Sequence, residues 1–166
     1  MGFLNNIMKY IDEDGEMVID KIKDKEIRIL PQNINRIEAE WIFEAIATMR
    51  YTPILAIRYT YDKKRIEIDK LHLNKYEDLL EYLSDNSYTN IIITNEKVNF
   101  MLFQPEGTEY SLFVGNCDFI NKAYKCTYKT HIDIFLDEID MEDNIKRKKY
   151  LKTKLDKYIV DRELYS

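Results

Sequence analysis

The sequence predicts an α+β domain, a mainly antiparallel sheet with helices packed on it, over residues 1–166 as a single domain. Three observations lead there. Short apolar or alternating runs come in pairs joined by polar turns, as hairpins do. Each pair is followed by a stretch with apolar residues at helical spacing, near residues 16–50, 54–84 and 91–125. After residue 130 the strand pattern stops, and C-terminal helices over 131–160 are expected to pack on the α+β body. The three units share no residue-level self-similarity, so they describe an architecture and not a sequence repeat.

Phe3, Leu4, Ile7, Met8 and Ile11 recur at helical spacing and predict a short amphipathic helix at the N-terminus. Asp12-Glu13-Asp14-Gly15 then breaks it. That cluster lacks the ligand positions of a calcium loop and reads as a turn. Residues 16–22 and 26–30 look like two strands joined by Lys23-Asp24-Lys25. Asn35 is placed to cap the next helix, with Glu38 three residues on as its capping-box partner. Ile37, Trp41, Ile42, Ala45, Ile46 and Met49 supply the apolar face, Trp41 being read as a core anchor. Pro53 ends that helix by disfavouring helical geometry at the residue before it.

Residues 54–59 and 65–69 predict a second hairpin around Asp62-Lys63-Lys64. Alternation would point Ile66 and Ile68 inward and Glu67 and Asp69 outward. Asn74 with Glu77 predicts another capped helix, buried along Tyr76, Leu79, Leu80 and Leu83. A third hairpin is expected from Ile91-Ile92-Ile93, a turn at 95–97, and a return strand from Val98 to Phe103. Tyr110, Leu112 and Val114 read as a strand central to the core. Gly115-Asn116 opens a helix bearing Phe119, Ile120, Ala123 and Tyr124. Thr130 with Asp133 is placed to cap a helix facing inward through Ile132, Phe135, Leu136 and Ile139. The last helix, with a narrow stripe of Ile145, Leu151, Leu155, Tyr158 and Ile159, is expected to lie on the surface.

At 166 residues the chain can bury roughly 70% of the surface its unfolded form exposes. Two cysteines set no disulfide framework in such a length. No secretory leader is recognisable, and no apolar run approaches the roughly 18 residues of a membrane span. The expectation is a cytoplasmic protein that uses no membrane. A net charge of −5 argues against a general nucleic-acid binder. The charge is uneven: residues 1–141 hold 17 bases against 25 acids, whereas residues 142–157 hold seven bases against three acids.

Catalytic signatures are weak. Cys117, Cys126 and His131 have zinc-ligand chemistry but not its spacing, and the two cysteines read as buried and structural. The four glycines are isolated, so no phosphate-cradling loop is visible. Glu67 and Asp69 on one strand face form the tidiest pair for acid–base work, and His72, between Leu71 and Leu73, reads as an outward or partly buried strand-end residue that an enzyme could also use. Carboxylates at alternating strand positions are nonetheless ordinary. No cofactor or metal is expected, and an enzyme is the weaker reading.

The denser signal is charge. Asp133, Asp137, Glu138, Asp140, Glu142 and Asp143 span eleven residues without a base. Asp133, Asp137 and Asp140 follow i, i+4, i+7 and so share one helical face, where like charges repel by a few tenths of a kcal/mol per pair. Such a block suits a solvated face or a docking surface for a basic protein, since acidic patches steer association. The basic run at 146–157 reads as a counterweight to the acidic body.

The segments YSLFVGNCDFINKAY and THIDIFLDEIDMED carry a resemblance. A strand ending in Val114-Gly115, a short helix led by Asp118-Phe119 and an acidic helix built on Phe135 together look like small bacterial immunity proteins of contact-dependent-inhibition and polymorphic toxin systems. The resemblance covers roughly the last third of the chain. It implies a cytoplasmic, cofactor-free, stoichiometric inhibitor that neutralises one cognate toxin, such as a nuclease. The acidic residues above would be its contact surface. The alternatives are a small-molecule-binding domain or enzyme with a pocket between sheet and helices, or a phage-encoded interaction module.

Overall fold

The computed structural model describes residues 2–31, 34–49, 51–107 and 109–159. Residue 160, where the C-terminal helices were expected to end, lies outside the described residues. In chain order the elements are α1 (Gly2–Met8), α2 (Ile19–Ile22), β1 (Glu26–Pro31), α3 (Arg36–Ala47), β2 (Ile54–Tyr59), β3 (Ile66–Leu71) and α4 (Tyr76–Asp85). They continue with β4 (Asn90–Asn95), β5 (Phe100–Gln104), β6 (Tyr110–Gly115), α5 (Cys117–Ala123), α6 (Tyr128–Met141) and α7 (Ile145–Ile159). The class is α+β, as the hairpin–helix pattern predicts.

The described strands form one antiparallel sheet in the order β1-β6-β5-β4-β2-β3. Alternation along each strand sends side chains to two faces, and helices cover both. On one face Ile27, Ile29, Ile57, Ile92, Phe103 and Leu112 join a core with residues of α1, α6 and α7. On the other face Ala56, Ile91, Ile93, Phe100, Leu102 and Phe113 pack with residues of α3, α4 and α5. β4, β5 and β6 are buried along their whole length, which is why they read as continuous apolar runs.

The first predicted hairpin does not form. Residues 16–22 contain a single bridge, Met17 to Ile11, and then the short α2. β1 pairs instead with β6, from Glu26 opposite Gly115 to Pro31 opposite Tyr110. Met17 and Ile22 are buried, but among helices and not in a ladder. The turn at 12–15 forms as expected: Asp12 Oδ1 accepts from the backbone N–H of Asp14 and Glu16, and Gly15 takes a positive φ of 74°.

Helix starts were predicted closely, with shifts that have local causes. Asn35 caps α3, its Oδ1 accepting from Glu38 N at 2.9 Å. The reciprocal contact runs between side chains, Asn35 Nδ2 donating to Glu38 Oε2 at 2.8 Å. At α4 the cap comes from Asp78, whose Oδ2 accepts from the backbone N–H of Asn74 and Lys75, and not from the Asn74 side chain. At α6 the cap is Thr127 and not Thr130; Thr127 Oγ1 accepts from Thr130 N at 3.1 Å, so the helix begins earlier. Val98 sits in the turn before β5 with φ 54° rather than on the strand. Trp41 is only half-buried, edge-on to Tyr124 at 5.6 Å, and Ile37 is exposed. Ile68 is 47% exposed, because β3 is the sheet's outer strand and the helical cover stops short of it.

The opposite edge is closed. His131 on α6 donates from Nε2 to the Ile29 carbonyl at 2.7 Å, tying the helix to β1, the end strand of the sheet among the described residues. α6 therefore runs beside β1, with Ile132, Phe135 and Ile139 buried and its acidic side turned outward.

Candidate functional site

α6 and the link from it to α7 carry the acidic block, and tertiary packing divides it in two. Asp133, Asp137 and Asp140 are all exposed and share the outer face of α6, as their spacing predicts. Glu138 turns the other way and is half-buried. It lines a cleft of about 240 Å³ between α6 and α7, together with Glu109, Glu142 and Arg147 over a floor of Pro31, Phe135, Ile139 and Leu151. Burial, with a smaller contribution from the charge of Glu38, pushes the Glu138 carboxyl above its ordinary range.

The chain's own bases neutralise much of the block. Lys129 Nζ lies 2.6 Å from Asp133 Oδ2. Lys148 and Lys152 reach Asp140 Oδ1 at 3.3 and 3.8 Å. Arg147 Nη1 lies 3.2 Å from Glu142 Oε2, while Glu142 Oε1 accepts from Asn144 N at the entry to α7. Asp137 and Asp143 carry no ion pair among the described residues and are exposed.

Apolar side chains flank the remaining charge. Ile134 precedes Asp137 by three positions and Met141 follows it by four, so both adjoin it on the helix surface. Met141 is 74% exposed, and Ile145 at the start of α7 is 82% exposed. Leu136, expected inward, is also exposed. The apolar stripe of α6 is narrower than its sequence suggests, because only Ile132, Phe135 and Ile139 meet the core. The pairing of exposed apolar and acidic residues was missed in the sequence, although the i−3 and i+4 spacing around Asp137 was there to read.

α7 is more deeply seated than its lysine-rich sequence suggests. Leu151, Leu155, Tyr158 and Ile159 join the core. Lys154 is buried and pairs with Glu16, and Lys157 Nζ lies 2.7 Å from Glu16 Oε2 and 3.7 Å from Asp12 Oδ2. Five of the seven bases in 146–157 thus face acids of this same chain. Burial is the largest influence on Glu16 and acts upward, but the hydrogen bonds from Lys154 and Lys157 outweigh it and hold the carboxyl below its ordinary range.

The acid–base set does not come together. Glu67 and Asp69 are both occupied by Arg58, at 2.7 and 2.9 Å, and Tyr82 Oη donates to Asp69 Oδ2 at 2.7 Å. His72 lies apart, in a cavity of about 450 Å³ beside Lys70, Ile54, Leu71 and the end of α3. Cys117 is exposed and Cys126 half-buried, so neither is the buried core thiol expected. His131 is committed to Ile29, with Nδ1 3.4 Å from Glu38 Oε1. Among the described residues no group of three or more His, Cys, Asp or Glu is placed to hold a metal ion, and no helix is long and apolar enough to cross a membrane.

Comparison with known proteins matches the chain to no family model, no curated protein and no solved structure.

Proposed function

We propose that this protein is a stoichiometric inhibitor that docks a basic protein partner on the outer face of α6, in the manner of an immunity protein facing its toxin. The observation that carries this reading is Asp137, exposed and without an ion pair among the described residues, set between the exposed Ile134 and Met141. Protein interfaces combine an apolar centre with a charged rim, and an acidic rim speeds encounter with a basic partner. Exposed apolar groups scattered singly carry no such meaning; here Ile134, Leu136 and Met141 are interleaved with Asp133, Asp137 and Asp140 on one helix, and Ile145 at the start of α7 is exposed as well.

The test begins with co-expression of the tagged protein with the proteins encoded beside it, and recovery of a one-to-one complex. Affinity is then measured by calorimetry for a variant carrying Asp133→Lys, Asp137→Lys and Asp140→Lys. Reversal of three charges on one face is expected to weaken binding by about 100-fold or more, since like-charge juxtaposition at an interface costs several kcal/mol. Unchanged affinity in a folded triple variant refutes the assignment of the surface. A second reading, small-molecule binding, draws on the 450 Å³ cavity with Lys70 and His72 at its wall. A saturable thermal shift with a small anion, lost in His72→Ala, would favour it.

A further inference from the structure

We propose that the cleft between α6 and α7 is an anchor pocket for one arginine side chain of the protein partner. The inference rests on the docking reading above and adds the chemistry of the group that is captured. The floor of the cleft is apolar, formed by Pro31, Phe135, Ile139 and Leu151. Of its polar groups, Arg147 and Glu142 engage each other at 3.2 Å. Glu109 and Glu138 are left, both half-buried and neither in an ion pair among the described residues.

The sign and shape of the lining select the occupant. An anion is repelled by the surplus carboxylates. A wholly apolar ligand would strand them without water or a counter-charge. For a hard metal ion, which gathers six or more oxygen ligands, the carboxylates are not grouped closely enough among the described residues. A long apolar stem ending in a cation satisfies both parts at once. Among side chains arginine suits better than lysine: its guanidinium is more weakly hydrated and presents a planar fork of donors to carboxylates. The volume of about 240 Å³ equals roughly eight waters at about 30 Å³ each, which is room for one long side chain and not for a folded segment. A cation arriving here also relieves the unfavourable burial of Glu138. Asp137 and Glu138 are consecutive on α6, so a partner on the outer face can reach the cleft with one projecting residue. Interfaces concentrate their energy in a few such anchors, and arginine is among the residues enriched there.

The probe is acetyl-Gly-Arg-Gly-amide, titrated into the methyl-labelled full chain and followed by NMR, with citrulline and lysine versions of the peptide as controls. Saturable shifts at the Ile139 and Leu151 methyls are expected with the arginine peptide and not with the citrulline one. Glu138→Gln and Glu109→Gln keep the side-chain shape and should each weaken binding by about tenfold, the loss of one charge-assisted contact. Equal shifts from the citrulline peptide, or binding unaltered in both variants, overturn the proposal, and equal affinity for the lysine peptide overturns the choice of arginine. The triple lysine variant of the outer face separates the two readings, because it should lose the partner yet keep the peptide. A protein that binds its partner but ignores the arginine peptide refutes the pocket alone. One that takes the peptide and finds no partner upholds the pocket's chemistry and refutes the docking reading.

Discussion

Replacing Glu16 by glutamine tests what holds α7, and with it one wall of the cleft, in place. Glu16 accepts from Lys154 and Lys157 across the turn that follows α1. Lys154 is 9% exposed, so removing the carboxylate strands a buried ammonium. Breaking a buried pair costs about 3–5 kcal/mol, whereas exposed pairs contribute about 0–1 kcal/mol. The Glu16 side chain is 20% exposed and that of Lys157 is 30%, which places this site between the two cases. The expected loss is about 2–3 kcal/mol, or a Tm lowered by about 4–12 °C for a chain of this length.

Urea unfolding of wild type, Glu16→Gln, Lys154→Met and the double variant measures it. The double variant should recover most of the loss, since methionine fills the lysine stem's space and no charge is then buried alone. The pH dependence carries a sign as well. A carboxyl held below its ordinary range stabilises the fold above that range, and the contribution disappears as pH falls through the folded-state value. Glu16→Gln should therefore flatten the acid limb of the stability curve. A loss under about 0.5 kcal/mol, or two single effects that simply add, refutes the anchor and leaves α7 held by its apolar residues.

Three further outcomes are expected. Asn35→Ala should destabilise by about 1 kcal/mol in denaturant titration, because Oδ1 caps α3 through Glu38 N. Ile68→Lys should change stability by no more than about 0.5 kcal/mol, while Ile92→Ala, fully buried on the same face, should lose about 2–5 kcal/mol; comparable losses would mean that helices cover β3 after all. Glu138→Gln should keep or raise the Tm at neutral pH. The raised carboxyl binds its proton more readily folded than unfolded, so wild-type stability falls as pH rises through that window, and the variant should lose this dependence.

Where local chemistry decides structure, the chain was legible. Asn35 caps α3 because an amide oxygen one residue before the first turn can reach a free N–H, whatever packs nearby. Asp12 and Gly15 make their turn for similarly local reasons. β2 with β3, and β4 with β5, are neighbours in sequence as well as in the sheet, so alternation and a polar turn suffice to find them. Residues 16–22 misled because Met17, Val18, Ile19 and Ile22 fit neither period cleanly, and a short apolar run does not show whether a strand or a helix will bury it.

The candidate site was half legible. The acidic face of α6 follows from spacing alone, since Asp133, Asp137 and Asp140 must share a side of any helix they occupy. Which of those charges remain available does not follow. Lys148 and Lys152 reach Asp140 only because α7 folds back beside α6, and Lys154 is spent on Glu16, distant in the chain. The cleft likewise gathers Pro31, Glu109, Glu138 and Leu151 from four parts of the sequence.

By itself, then, the sequence determined what is set within a turn or two of chain: most of the periods, the cap of α3, two hairpins, the α+β class and the charge on one helical face. Only the tertiary structure decided that β1 pairs with β6, that α6 seals the sheet edge through His131, and which carboxylates stand without a counter-charge. The physical reason is that backbone geometry and helical spacing act between near neighbours. Ladder pairing and ion pairing between distant segments are settled by which surfaces burial brings together.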